Sequence, residues 1–471
     1  MDNMPLIDAL YEIVDKNVVS FHVPGHKKGS IYKKINYIKY RKNIFNIDTT
    51  EIPGTDNLHF PESVIKKSQE IASEVFNSDH TFFLVNGTTC GIYASIMSIC
   101  NPKDKIIVNR DCHQSVVNAC ILSDLEPIYV NPSVDFNSGI SLGVAFEDIK
   151  KALDDNEDAK GVIITYPTYY GVNIDIKKIA DYVHNKGKIL IVDEAHGSHL
   201  GLSKFLPESA IELGADIIIQ STHKTLPAFT QSSMLHVKGN RVDVDRLKSF
   251  LKIVQSSSPS YILMSSLEMA VNIYKNNGKE LMNSLIKNIN DIVKFIDNLK
   301  NIEVFKMKGQ DITKLYIITK KLKKSGHEIE NILRYKYNIQ VELSNPYGVL
   351  LVCSIGNTKE DFEKLKEALI QIDSEVGDKD LIEINYPTVI PKKILNPRDA
   401  FYSCKKSIKI EKSIGKICGE YLIPYPPGIS IISPGEEITK EVVDYIKKSK
   451  EMGTNITGIK DKNLEYIQVI D

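Results

Sequence analysis

From residue 81 to residue 237 the chain repeats one pattern, a short apolar run followed by a stretch of helical periodicity or a turn. The runs are TFFLVN (81–86), KIIVNR (105–110), EPIYVN (126–131), GVIITYP (161–167), KILIVDE (188–194), ADIIIQS (215–221) and SMLHV (233–237). Helical GTTCGIYASIMSIC, HQSVVNACILSD and DIKKIADYVHNKG lie between some of them. A strand that is apolar on both sides has to be covered on both faces. The pattern therefore predicts an α/β fold with a mainly parallel sheet between helices. Ligands of such sheets bind beyond the carboxyl ends of the strands.

At 471 residues the chain is too long for one compact core, and more than one domain is expected. Residues 1–60 form an N-terminal arm: a short amphipathic stretch, then FHVPGHKKG and DTTEIPGTDNLHF, read as loops with little regular structure. Residues 61–275 form the large domain, opening with a helix from Pro61. A long helix from Tyr261 leads into a small α/β domain, 276–379, and the proline-rich remainder, 380–471, forms a C-terminal domain. With 59 Lys+Arg against 60 Asp+Glu the net charge is −1, so neither nucleic acid nor a membrane surface is the expected partner. No apolar stretch approaches the ~20 residues of a membrane span, and the acidic N-terminus does not resemble a signal peptide. Seven scattered cysteines without a C-x-x-C pair suit reduced thiols and a cytoplasmic location.

Four strand ends carry reactive groups. After FFLVN, Gly87, Thr88 and Thr89 open a helix, where free N–H groups and the helix dipole favour an anion. After KIIVNR comes His113. KILIVDEAHGSH delivers Asp193, then small Ala195 and His196, and IIIQSTHK delivers Ser221, His223 and Lys224. An anion site, a buried carboxylate, an imidazole and a lysine at one sheet edge match the needs of pyridoxal 5′-phosphate. The lysine amine would form an imine with its aldehyde, and the carboxylate would keep its ring nitrogen protonated as an electron sink. Each piece alone has a plainer reading as a cap, a structural carboxylate, a core histidine or a surface lysine; their coincidence is what argues for a cofactor. A metal held by His196 and His199 lacks further ligands at convincing spacing.

The chain resembles the Orn/Lys/Arg decarboxylases, in their short bacterial form, of the fold-type-I pyridoxal-phosphate superfamily. The resemblance spans nearly the whole sequence: FHVPGHKKG, TEIPGTDNLHFPE, LVNGTTCGIYA, RDCHQSV, TYPTYYGV, VDEAHGSH, STHKTLPAFTQSSMLH, QSSSPSY, VELS with SIGNT, and PRDAF with YPPGIS and SPGE. It implies an aspartate-aminotransferase-like large domain, with Lys224 as the imine-forming lysine, Asp193 on the pyridine nitrogen and His113 stacked on the ring. It further implies Gly87, Thr88, Thr89, Ser221 and His223 around the phosphate, Ala195 against the other ring face and His196 beside the cofactor. Ser256 or Ser257 would reach the phosphate of the neighbouring subunit in a homodimer with shared active sites. Glu342 would face the distal cation of a basic amino acid. Larger relatives begin with a flavodoxin-like wing domain; here FHVPGHKKG begins at residue 21, so a dimer or dimer-based oligomer is expected rather than a wing-built decamer.

The implied reaction is decarboxylation of a basic L-amino acid, a step of polyamine biosynthesis, with arginine (to agmatine) ranked before lysine or ornithine. Either His223 or Lys224 would return the proton to Cα. Two alternatives stand beside it. A transaminase of the same fold would clamp the α-carboxylate with an arginine; the chain has six arginines, of which Arg398 in PRDAF is the one to watch. A non-catalytic cofactor-binding protein would have no need of Lys224, Asp193 and His113 together.

Overall fold

The computed structural model describes residues 4–378, 390–424, 430–451 and 456–471. The expected boundary at 379/380 and the YPPGI portion of the terminal proline segment lie outside the described residues. The seven apolar runs become one sheet: β1 (His80–Leu84), β2 (Lys105–Asn109), β3 (Glu126–Val130), β4 (Gly161–Thr165), β5 (Ile189–Asp193), β6 (Ile217–Gln220) and β7 (Ser233–Val237), in spatial order β3-β2-β4-β5-β6-β7-β1. β2 to β6 are parallel, with Thr165 opposite Asp193 and Asp193 opposite Ile219. β7 is antiparallel to both β6 and β1, because the connection 221–232 carries only one helical turn and folds straight back. The strand order reverses between β2 and β4, the point where α/β sheets open a crevice at the carboxyl edge.

Alternate residues of each strand serve opposite cores. Ile217 and Ile219 join Leu84, Ile96, Val108 and Ile191 on the side of helices α1 (Gly87–Ile99) and α2 (Gln114–Ser123). Ile218 joins Val162, Leu190 and Val192 on the side of α3 (Ile176–Asn185). This is why the runs show no polar alternation, and each fully buried isoleucine contributes about 1.5–3 kcal/mol. α1 lies close on the sheet: a Cβ at Gly91 would meet Leu84 Cδ1 at 2.7 Å and Ile219 Cγ2 at 2.9 Å. Lys224 sits in the single turn α4 (Thr222–Thr225). Helix α5 (Val244–Val254), which no motif announces, covers α1, and the expected long helix is α6 (Tyr261–Ile296).

In the arm, 21–29 and 48–60 are loops as expected, apart from Phe21, which ends the strand Val19–Phe21. The amphipathic stretch before them is an exposed helix, Pro5–Asp15, and short helices Ser30–Lys34 and Ile38–Lys42 lie between them. The strand pairs in parallel with Ile339–Val341, and Phe21 packs edge-on against Phe362 at 5.4 Å. The helix expected from Pro61 begins only at Val64. Asp56 gathers the N–H groups of Glu62 (3.0 Å), Ser63 (2.8 Å) and Ile65 (3.0 Å), so Pro61 stands in a turn wound about that carboxylate.

Beyond α6, Glu303–Val304, Lys314–Ile318, Gly348–Val352 and Leu343–Asn345 form an antiparallel sheet with helices Gly326–Lys336 and Lys359–Asp373. The C-terminal part has its own core under helix Lys440–Glu451 and a sheet of Lys405–Lys409, Tyr466–Ile470 and Ile417–Cys418.

Candidate active site

A cavity of about 560 Å³ opens at the carboxyl edge of β1, β2, β4, β5 and β6. At its β1 side, Gly87 takes φ +73°, a left-handed turn that glycine adopts without a Cβ clash, and α1 begins there. The Asn86 side chain does not cap the helix, so first-turn N–H groups are left without that partner. Thr88 Oγ1 shares hydrogen bonds with Ser221 Oγ and, at 3.0 Å, with Ser233 Oγ. Thr89 also lines the cavity. Hydroxyls and uncapped N–H groups at the start of a thirteen-residue helix form a cradle for a phosphate-like dianion. Ser233, at the start of β7, was not among the sequence candidates; the serine pair in FTQSSM is its only local sign.

Asp193 ends β5 and is 3% exposed. Its Oδ1 accepts from Ala195 N at 3.1 Å, and burial raises its pKa, opposed by nearby His113 and Lys224. A buried carboxylate so thinly paired is costly, and a cationic N–H donor placed in the cavity would suit it. His113 is the N-cap of α2. Its Nδ1 accepts from Ser115 N at 3.2 Å and lies 2.8 Å from Ser115 Oγ, which fixes the ring at the cavity wall. Burial lowers its pKa, so the ring is neutral at pH 7, with its proton on Nε2.

Lys224 Nζ lies 3.0 Å from His196 Nε2. Burial lowers its pKa, while Asp193 and Glu342 pull the other way. His223 Nδ1 donates to Ser232 O at 2.8 Å, and burial lowers its pKa to about 4; Nε2 is left as an acceptor. Ala195, His196, Ser221 and His223 all line the cavity. His199 does not accompany His196: it turns to Thr313 Oγ1 and Asp311 Oδ2, each at 3.1 Å, and no metal-type cluster occurs among the described residues.

Glu342 lines the cavity from the segment between strands Ile339–Val341 and Leu343–Asn345. It accepts from Val23 N (2.9 Å) and Tyr169 Oη (2.7 Å), so the N-terminal arm and the β4 loop both orient it. Ser256 and Ser257 are exposed and lie outside this chain's own cavity. Arg398 is also elsewhere, donating to Leu122 O at 3.1 Å.

Unforeseen from the sequence is the role of Arg110. Its guanidinium meets Glu436 in a buried fork, with both N–H···O distances 2.7 Å, and donates to Ser430 O and Ile431 O at 3.2 Å each. This pins the C-terminal part over the cavity, where Tyr421, Ile423, Ser433 and Thr457 complete the wall. Arg110→Met leaves Glu436 buried and uncompensated, and is expected to cost about 3–5 kcal/mol of stability. Calorimetric melting of the variant checks it, and adding Glu436→Gln should recover part of the loss.

A crevice at the switch point of this sheet, with a lysine, a buried carboxylate and an anion cradle on its rim, defines an α/β enzyme of fold type I, the aspartate-aminotransferase-like class. Alanine–glyoxylate aminotransferase from Nostoc sp. shares that fold at 13% identity and a TM-score of 0.55, covering 71% of this chain and 91% of its own. Lysine decarboxylase of Francisella novicida superposes with a TM-score of 0.79 at 23% identity, over 95% of this chain and 78% of its own. Residues 4–321 match the Orn/Lys/Arg decarboxylase major domain and 380–463 the C-terminal domain of that family. Arginine decarboxylase of Bacillus subtilis is 37% identical over 99% of this chain and 97% of its own. The chain belongs to the Orn/Lys/Arg decarboxylase family, and it is a decarboxylase.

Proposed function

We propose that the cavity holds pyridoxal 5′-phosphate and that the chain decarboxylates a basic L-amino acid, arginine first, releasing agmatine. The observation that carries the reading is Lys224: a half-buried lysine in a cavity wall, its amine hydrogen-bonded to an imidazole rather than to a carboxylate. When bound, the cofactor supplies an electron sink that accepts the pair left by departing CO2. Gly87, Thr88, Thr89 and Ser221 would hold its phosphate, Asp193 its ring nitrogen, and His113 and Ala195 its two faces. Ser233 would stand behind the phosphate residues, orienting Thr88. Lys224 Nζ is the position that carries a proton for return to the substrate's α carbon; His223 Nε2, a bare acceptor, would serve only by relaying a proton it first takes up. A cavity emptied of water by the bound substrate would favour converting a carboxylate to neutral CO2.

The carboxylates of Glu342 and Asp111 line the cavity and suit the distal cation of the substrate. Arginine ranks first because the relative of Bacillus subtilis, alike over nearly full length, is named an arginine decarboxylase. Arg110 is the arginine of this chain that lines the cavity, and its fork is committed to Glu436. A transaminase-type clamp on the α-carboxylate therefore has no free guanidinium among the described residues that line the cavity. The exposed Ser256 and Ser257 fit a homodimer in which each subunit lends this loop to its neighbour's phosphate site. No helix among the described residues is long and apolar enough to cross a membrane. Six of the seven cysteines are buried and none is paired, which supports a reducing cytoplasm as the working compartment.

Purified protein with the cofactor, offered arginine, lysine and ornithine separately, is expected to release CO2 and the matching amine, fastest from arginine. Keto acid without CO2 would overturn the proposal.

A further inference from the structure

His196 touches two things besides the cavity: its Nε2 lies 3.0 Å from Lys224 Nζ, and its ring packs on Tyr169 with centroids 4.4 Å apart. Its Nδ1 is buried and has no hydrogen-bond partner. Two proton placements are compatible with this. If Lys224 were an ammonium donating to Nε2, the ring proton would sit on Nδ1, a buried N–H without an acceptor. If instead Nε2–H donates to a neutral amine, the ring leaves only a bare lone pair at Nδ1. Orphaned buried donors are rarer and costlier than under-used acceptors, and those of an ion cost most.

We propose that His196 is a positioning residue for Lys224: it donates from Nε2 to the lysine nitrogen and so holds that nitrogen as a neutral amine facing the cavity. The inference rests on the reading of Lys224 as the residue that condenses with the cofactor's aldehyde. In that condensation the nitrogen lone pair forms the N–C bond, the carbonyl oxygen leaves as water, and both amine hydrogens depart with it. A protonated lysine has no lone pair to begin. The surroundings act in the same direction. Lys314, 1% exposed and with its Nζ unpartnered, faces both Lys224 and His196 from strand Lys314–Ile318 and disfavours a further positive charge. Opposing it, Asp193 from β5 and Glu342 from the segment after Ile339–Val341 favour the ammonium, while His113 and His223 complete the ring of titratable groups around His196. Burial of His196 keeps it neutral throughout the working range.

The test follows capture of pyridoxal 5′-phosphate by the cofactor-depleted full chain, read as growth of its visible absorbance against pH, with no turnover involved. His196→Phe keeps a flat ring against Tyr169 but removes the donor; His196→Asn is a second loss variant whose amide stops short of Nζ. Each is expected to slow capture about tenfold at pH 7 and to raise its pH midpoint by about one unit, the equivalent of one hydrogen bond. His196→Gln, able to present an N–H near the Nε2 position, should recover most of the loss. Capture by the Phe and Asn variants at the unaltered rate and midpoint would overturn the inference, and so would equal loss in all three. Lys224→Ala separates the two readings. If it still develops the band, the assignment of Lys224 itself fails. If it does not, unchanged loss variants sink only the role of His196.

Discussion

Lys224→Ala is expected to lower kcat/KM for decarboxylation by at least about 10⁴-fold, more than ~5 kcal/mol of transition-state stabilisation, while leaving the fold intact. The expectation rests on what remains in the cavity. Lys224 is the lysine among the described residues that line it. Lys27, the nearest buried lysine of the arm, donates from Nζ to His22 O at 2.5 Å and to Val352 O at 2.9 Å. Lys314 is buried behind the wall rather than on it. Arginine at 224 should not rescue, because a guanidinium stays charged and cannot offer a lone pair. The removal itself is structurally mild: it deletes an amine whose one hydrogen bond is to His196 and opens space toward the cavity, not the core. Steady-state CO2 release, with the visible absorbance of bound cofactor recorded alongside, checks both halves. An alanine variant within tenfold of the parent activity would remove the lysine from the chemistry.

The ease with which this residue is found in the sequence has a physical cause. In a parallel sheet the carboxyl ends of all strands meet at one edge, so Thr88, His113, Asp193 and Lys224 converge once the strands are recognised, although they span 136 positions, from 88 to 224. β-branched apolar runs make those strands conspicuous. What escapes sequence reading depends on contacts that no local pattern encodes. Arg110 reaches Glu436 across 326 positions, and Val23 reaches Glu342 across 319. Strand Val19–Phe21 has only three residues and exists through its pairing with Ile339–Val341. β7 has the composition of its neighbours and yet runs against them, because direction is set by the connection and not by the strand. His196 and His199 share one motif, but a tight turn after β5 sends the first to Lys224 and the second to Asp311. Spacing alone left open a pairing that the fold separates.

Asp193→Asn should separate function from stability by moving them in opposite directions. Asparagine keeps the size of the side chain, and its Oδ1 can still accept from Ala195 N, so the geometry at the end of β5 is preserved. What it loses is charge. On the proposed reading, asparagine would not hold the cofactor's ring nitrogen protonated, and kcat is expected to fall on the order of 10³-fold, about 4 kcal/mol, with a smaller change in KM. The cofactor-free protein should behave in the contrary way. Burial raises the pKa of Asp193 above the ordinary carboxylate value, so the folded chain holds that proton better than the unfolded chain does. Such a group lends stability below its unfolded pKa and withdraws it as pH rises through the raised value. Asparagine has no proton to lose. The melting temperature of the cofactor-free variant should therefore equal or exceed that of the parent at pH 7, and the difference should shrink toward acidic pH. A carboxylate placed for structure predicts the reverse, a variant less stable at pH 7 with activity reduced only as far as folding is. Paired measurements of kcat and of melting temperature between pH 4 and 7 discriminate the two, and a variant that keeps its turnover while losing stability would strip Asp193 of its part in the chemistry.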